Sequence, residues 1–301
     1  MSADLMNPVF TDEHAAREYL ESVRWPNGPV CPHCGDQDKG KKLGGKAHRP
    51  GLYRCGACKK QYTATVGTLF ERSKIPLNKW LLACHLLCAS KKGISAHQLH
   101  RMLGVTYKTA WFMAHRIREA FREGKAIMMG GDGGAVEVDE TYFGNKPGVE
   151  KRRGYAHKHA IVTLVERGGD ARSFHVKKVN AATLRPILNL QIKRDTMLMS
   201  DEAGVYTPLG KHFDHHFSVQ HGIGEYVRGG AHTNTVEGYF SILKRGMKGT
   251  YQHCGEAHLK RYLAEFDFRY NRRGMTDWER AADALRGIEG KRLMYGGPDA
   301  R

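Results

Sequence analysis

No stretch of this 301-residue chain is both long and apolar enough to span a bilayer. The longest apolar run, Trp80 to Ala89, is about half the roughly 20 residues a spanning helix needs, and His85 interrupts it. Met1 to Phe10 carries no basic stretch followed by an apolar one, so the expectation is a protein that stays in the cytoplasm, away from membranes. Internal repeats and low-complexity segments are also missing, which excludes solenoids and linker-like chains. Acids are scarce relative to bases, 31 against 48, for a formal charge of +17. A polyanion is therefore the expected partner, through Coulomb attraction and counterion release, although a basic protein with no such partner would carry the same total.

Cysteine is sparse, seven in all, but four fall in two tight pairs, Cys31-Pro-His-Cys34 and Cys55-Gly-Ala-Cys58. In a reducing compartment that arrangement speaks for metal ligation rather than disulfides. Two C-x-x-C knuckles let Cys31, Cys34, Cys55 and Cys58 surround one tetrahedral Zn2+. A closed four-thiolate site stabilises a fold and leaves no coordination position for chemistry. The loop between the knuckles holds Lys39, Lys41, Lys42, Lys46 and Arg49, which fits either a phosphate-contacting tip or a solvated one. Cys84, His85 and Cys88 on one apolar helix read as core residues.

Ahead of the knuckles, Thr11 with Asp12 and Glu13 starts a short helix, giving a front segment over 1–70. Residues 71–129 read as mostly helical. Ser95 caps one helix with Ala96, Leu99, Met102 and Leu103 inward, and Gly104-Val105-Thr106 turns into a second. There Ala110, Ala114, Ile117 and Phe121 form the stripe, with Tyr107, Lys108, Arg116, Arg118 and Arg122 largely outside it. That pattern suits a helix-turn-helix with its second helix in a DNA groove, and a plain helical hairpin equally. Gly130, Gly131, Gly133 and Gly134 form a joint, and 130–275 is the next domain, with 276–301 a C-terminal tail.

Within 130–275, strands are expected at Ala135 to Phe143, His159 to Glu166, Ser173 to Val179, Thr196 to Met199 and near His215 to Val219. Helices follow at Ala181 to Gln191, Thr235 to Met247 and Glu256 to Tyr270. This is an α/β class with a mixed sheet covered by helices. Asp139 lies late in the first strand, Asp201 follows the fourth, and Glu237 opens a helix. Acids at carboxyl ends of strands share a crevice in such sheets, and a carboxylate set suits a pair of divalent ions acting on a phosphodiester. Each has a plainer reading: Asn234 and Glu237 fit a capping box, and Glu137, Glu140, Asp195, Glu202 and Asp214 are rivals of the same chemistry. Lys244 shares the Glu237 face two turns on. The basic helix with Lys260, Arg261, Arg269, Arg272 and Arg273 offers backbone contacts or a solvated face.

Together, CPHCG, YRCGAC, VDETYFGNK, SDEAGVY, HTNTVEGYFSILKRGMKGTY and HLKRYLAEFDFRYNRR, spread over about residues 10 to 273, resemble one family: insertion-sequence transposases of the ISXO-type branch, with an N-terminal zinc ribbon and a DDE core. Asn145 departs from the glycine expected there. The resemblance implies an RNase H-like fold with Asp139, Asp201 and Glu237 as catalytic carboxylates holding Mg2+ or Mn2+, and Asn234 and Lys244 as associated site residues. The third ligand is open between Asn234 and Glu237; a carboxylate binds magnesium better than an amide, which favours Glu237. The resemblance also implies a bacterial, DNA-associated enzyme that binds terminal inverted repeats, hydrolyses the end phosphodiester and joins the strand to target DNA. Its partner is double-stranded DNA, and a homo-oligomer is expected because two ends are cut together. Two rival functions remain: a DNA-binding relative that does not cut, and a nuclease that cuts without joining.

Overall fold

A computed structural model describes residues 5–122, 124, 127–219 and 232–294. It divides into two compact units, Met1–Arg122 with Gly274–Arg301, and Glu123–Arg273.

The first unit begins with α1 (Pro8–Thr11) and α2 (Glu13–Arg24). The predicted cap moves by one residue: Thr11 ends α1, and the Asp12 carboxylate accepts the Ala15 N–H at 2.7 Å. A small antiparallel sheet of β1 (Gly40–Lys42), β2 (Tyr53–Cys55) and β3 (Gln61–Tyr62) follows. Then come α3 (Leu77–Ala89), α4 (Ala96–Leu103) and α5 (Tyr107–Ala120). Ser95 caps α4 and Thr106 caps α5, and between them Gly104 takes φ +60°, a left-handed conformation that closes the turn at little cost only without a Cβ. Residues 276–301, expected as a tail, supply a further helix, α10 (Asp277–Arg286), opened by a Thr276/Glu279 capping box. It packs on α3, where Arg280 Nη1 donates to the Cys88 carbonyl at 2.8 Å. Cys84, His85 and Cys88 are buried in that packing, as core residues.

Two details of this unit depart from the helical pattern. Met102, expected inside, is 43% exposed. Arg116 and Arg118, expected outside the stripe, are buried; Arg116 lies over the Trp80 and Phe112 rings and donates to the Glu71 carbonyl. An arginine stem packs like a hydrocarbon, so helical period alone mistakes such a residue for a surface one. Tyr107, Lys108 and Arg122 are exposed.

The second unit adds β4 (Ala135–Phe143), β5 (His159–Glu166), β6 (Ala171–Val176), α6 (Ala181–Gln191), β7 (Met197–Ser200), α7 (Thr207–Gly210), β8 (His215–Ser218), α8 (Asn234–Gly246) and α9 (Glu256–Asn271). A π-helical turn, Met247–Tyr251, continues α8. The sheet order is β6-β5-β4-β7-β8; β4, β5 and β6 form an antiparallel meander, and β7 and β8 run parallel to β4. This is the mixed RNase H-like sheet. Val136, Val138, Leu164 and Leu198 face α6 and α7, whereas Phe143, Ile161 and Val165 face α8 and α9. Strand β5 is buried nearly throughout, as its run HAIVTLVE demands of a strand covered on both faces.

The glycine-rich stretch predicted to be a joint is pinned inside this unit. Gly130 N–H donates to Glu166 Oε1 at 2.7 Å, Gly131 N–H to Thr196 Oγ1 at 3.0 Å and Asp132 N–H to Asp195 Oδ2 at 3.0 Å.

Candidate active site and metal centre

In the small sheet, the four predicted thiols converge. Cys31 Sγ lies 3.7 Å from Cys58 Sγ, Cys34 Sγ lies 3.6 Å from Cys55 Sγ, and all four fall within 4.8 Å of one another. Four sulfurs at about 2.3 Å from a tetrahedral zinc stand about 3.8 Å apart, so the residues fit that ion. Gly35 takes φ +76° to fold the first knuckle, and its N–H donates to the Cys31 carbonyl at 2.9 Å. In the second knuckle, Cys58 N–H points to Cys55 Sγ at 3.5 Å. The Lys60 N–H above all lowers the Cys58 thiol to about 7, toward the thiolate a metal takes. Beyond the metal site this module has only Trp25, Tyr53 and Tyr62 as aromatic core, with Tyr53 and Tyr62 stacked at 5.6 Å. So small a core leaves the metal as the main source of stability. Cys55→Ser is therefore expected to release zinc and to abolish hydrogen-exchange protection of the β1–β3 amides, while β4–β8 keep theirs. Undiminished protection of β1–β3 would show that the ribbon folds without its ion.

The carboxylates are arranged by the larger sheet. In the parallel pairing of β4 with β7, Val136 faces Leu198 and Glu137 faces Met199. The same offset carries Asp139, in the middle of β4, alongside Asp201, one residue past the end of β7. Strand neighbours are about 4.8 Å apart. Asp201 is fixed by its own turn, Oδ1 accepting the Ala203 N–H at 3.0 Å. Asp139 is raised to about 7: burial is the main cause, the Glu140 N–H on its own Oδ1 at 2.6 Å opposes it, and the charges of Asp201, Glu140 and Glu237 add to it. Asp139 thus feels both of the other predicted acids. Among the described residues, the oxygens of Asp139, Asp201 and Glu237 do not all lie within 4.8 Å of one another. A two-ion arrangement does not require that; it needs one carboxylate between the two others.

The remaining predicted residues lie on α8. Its N-cap is Thr233, not Asn234, and no side chain of its own first turn caps it. Asn234 is exposed at the first helical position, and Glu237 is half-buried, with the Thr233 hydroxyl 3.4 Å from its Oε1. Lys244 is exposed, its Nζ 5.8 Å from the Phe240 ring. The capping box that was the plainer reading of Asn234 and Glu237 does not form, because the N-cap is Thr233.

The cap comes instead from Glu137, an acid that sequence reasoning set aside as a rival. Its side chain is fully buried. Oε2 accepts the N–H groups of Thr235 at 2.8 Å and Val236 at 3.0 Å, and Oε1 accepts the Thr235 hydroxyl at 2.9 Å and Arg167 Nε at 2.8 Å. Arg167 also donates to the His232 carbonyl at 2.9 Å. His232 Nδ1 stands 3.1 Å from Glu137 Oε1 yet makes no aligned hydrogen bond, so its part is proximity only. A carboxylate at a helix N-terminus satisfies orphan N–H groups and meets the positive end of the dipole. Glu137 thereby ties the helix bearing Glu237 to the strand bearing Asp139. The signal was available: Glu137 lies two residues before Asp139, on the same inward face, where a charge demands partners.

Two arginines of α9, left open between DNA-backbone contacts and a solvated face, are buried instead: Arg261 and Arg269, the latter paired with buried Glu265. Lys260 and Arg273 are exposed, and Arg273 donates to the Gly169 carbonyl at 3.0 Å.

A four-cysteine ribbon preceding an RNase H-like sheet, with one acid within its central strand and another just past the neighbouring parallel strand, is an architecture of DNA transposases. The profile described as ISXO2-like transposase domain matches residues 132–271, and the transposase zinc-ribbon domain matches residues 11–61. An uncharacterized protein in transposable element ISH50 of Halobacterium salinarum is 30% identical over 295 residues, which cover 88% of this chain and 93% of that protein. The chain belongs to the IS1595 (ISXO2-like) family of insertion-sequence transposases. A cryo-EM structure of a simian T-cell lymphotropic virus intasome in complex with PP2A regulatory subunit B56 gamma matches 56% of this chain and 63% of that one, at 12% identity and a TM-score of 0.29. Among the described residues, no helix is long and apolar enough to cross a membrane.

Proposed function

We propose that this transposase binds the terminal inverted repeats of its element, hydrolyses the phosphodiester at each end and joins the freed 3′ end to target DNA. The observation that carries the reading is the placement of half-buried Asp139 alongside Asp201 by the β4–β7 register, with Glu237 near enough for its charge to help burial raise the Asp139 carboxyl to about 7. Such a cost is retained where something cationic is to be bound. Magnesium or manganese ions held by Asp139, Asp201 and Glu237 would activate the attacking oxygen and stabilise the leaving one. Asp139 would be the residue serving both ions, with Asp201 and Glu237 each holding one. Exposed Asn234 and Lys244, two turns of helix apart from one another or more, contact phosphates on either side of the scissile bond. A water oxygen bonds to phosphorus as the P–O3′ bond breaks, leaving a 3′ hydroxyl on the element. That hydroxyl then attacks a target phosphodiester and displaces the target's own 3′ oxygen, so no covalent enzyme intermediate is needed.

Binding falls to the zinc ribbon and the α4–α5 pair acting as a helix-turn-helix. Exposed Tyr107 and Lys108 open α5, and a groove of about 730 Å³ beside the Gly104 turn is lined by Lys79, His100 and Arg101. Both are suited to a DNA backbone. Two ends cut together call for a homo-oligomer assembled on DNA in the cytoplasm. Purified protein, a labelled element-end fragment and magnesium test the reading, with nicked and then joined products expected. Binding without nicking would mark a DNA-binding relative, and nicking without joining a nuclease.

A further inference from the structure

A second group of metal-competent side chains lies apart from the carboxylates. His159 opens β5, His175 lies on β6, and Glu256 is the first residue of α9. In the β5–β6 register Ile161 faces His175, so His159, two residues back on the same face, is its diagonal neighbour under the α8/α9 layer. Their rings stand 5.3 Å apart at 70°, and His175 Nε2 is 3.9 Å from Glu256 Oε1. Each of the three residues offers a nitrogen or oxygen within 4.8 Å of the other two.

Hydrogen bonding does not account for this placement. His159 is only 3% exposed, and among the described residues neither its buried Nδ1 nor the buried Nε2 of His175 has a hydrogen-bond partner. A buried polar atom left unsatisfied costs about 1–3 kcal/mol, and two from imidazoles facing one carboxylate ask for a common explanation. Glu256, whose side chain is 51% exposed, closes the group toward solvent, which gives an ion a route of entry.

We propose that His159, His175 and Glu256 form a second zinc-class site, a divalent transition ion held by two imidazoles and one carboxylate, with water completing the coordination. Two nitrogens and one oxygen suit zinc, whereas magnesium prefers all-oxygen sites such as the Asp139 group. The ion ties the first turn of α9 to β5 and β6. Its role is that of a clamp on the α9 side of the sheet, separate from the Asp139 group.

The test is zinc per full-length chain, measured by inductively coupled plasma mass spectrometry after equilibration in a zinc buffer. Millimolar magnesium is included to occupy the oxygen-ligand site. The expected result is about two zinc ions for the wild type, one in the thiolate site and one here, and about one for His175→Ala. Glu256→Gln changes an exposed side chain and guards against a folding defect in His175→Ala; it is expected to weaken the second ion roughly tenfold or more while leaving the first in place. One zinc ion in the wild type, or a second ion that neither variant disturbs, would overturn the proposal.

Discussion

Asp139→Asn is expected to reduce cleavage of an element end by roughly a thousandfold or more, since under the proposed mechanism this carboxylate would serve both ions and supply several kcal/mol of transition-state stabilisation. The same substitution should make the metal-free protein more stable at pH 8. Burial above all raises the Asp139 carboxyl from 3.8 to about 7 in the folded chain. The unfolded chain therefore loses this proton at lower pH than the folded one. Whatever stability the protonated carboxyl confers is complete below about pH 4, declines as pH rises, and is gone above about pH 7. Three pH units correspond to about 4 kcal/mol as an upper figure, which solvent relaxation reduces. Asparagine does not titrate, so the stability difference between variant and wild type should grow between pH 4 and pH 7 and then level off. Magnesium should stabilise the wild type and not the variant. Denaturant melts across that pH range, with and without magnesium, check the stability claim, and gel assays of the labelled end check the chemistry. Wild-type cleavage by Asp139→Asn would remove Asp139 from the mechanism, and a flat pH profile of the difference would mean that its carboxyl is not strained.

Much of this arrangement was legible before any coordinates. The alternation in Ala135 to Phe143 and the apolar run of His159 to Glu166 predict the bounds that β4 and β5 have, because strand period and β-branched content are local properties. The two knuckles announced the thiolate cluster, since C-x-x-C spacing is itself the geometry of a metal turn. What did not show was anything decided by partners far away in the chain. Arg116, Arg118, Arg261 and Arg269 look like surface cations on a helical wheel and are buried, their stems packed among apolar groups. Asn234 and Glu237 have capping-box spacing, but the N-cap falls one residue earlier, at Thr233, and the helix takes its cap from a strand about a hundred residues upstream. Glu137 has the same chemistry as the acids around it, and only its partners distinguish it. The pair His159 and His175 is invisible for a similar reason: the register of β5 on β6 makes them neighbours, and no spacing in the sequence encodes that register.

The second large effect belongs to Glu137→Gln. The amide cannot satisfy the site in either orientation. With its oxygen toward Thr235 and Val236 N–H, its NH2 meets Arg167 Nε, donor against donor; flipped, it meets two backbone N–H groups instead. Breaking a buried charged pair by removing one partner costs about 3 kcal/mol or more, and the first turn of α8 is where relaxation would occur. A shift of about 1 Å in a reacting constellation lowers a rate by roughly a hundredfold, so Glu237 need not move far. The expected result is a folded but less stable protein whose cleavage rate falls on the order of a hundredfold, whose affinity for the element end is unchanged, and whose magnesium requirement rises. Glu137 is thus a positioning residue: it touches no substrate in this scheme, and a merely stabilising role would leave the magnesium requirement alone. Adding Arg167→Gln to Glu137→Gln should cost little more, because the pair is already broken, whereas independent residues would give additive losses. If Glu137→Gln, folded by circular dichroism, cuts at the wild-type rate and magnesium dependence, then α8 does not depend on this carboxylate to present Glu237, and the coupling between strand β4 and the third acid is wrong.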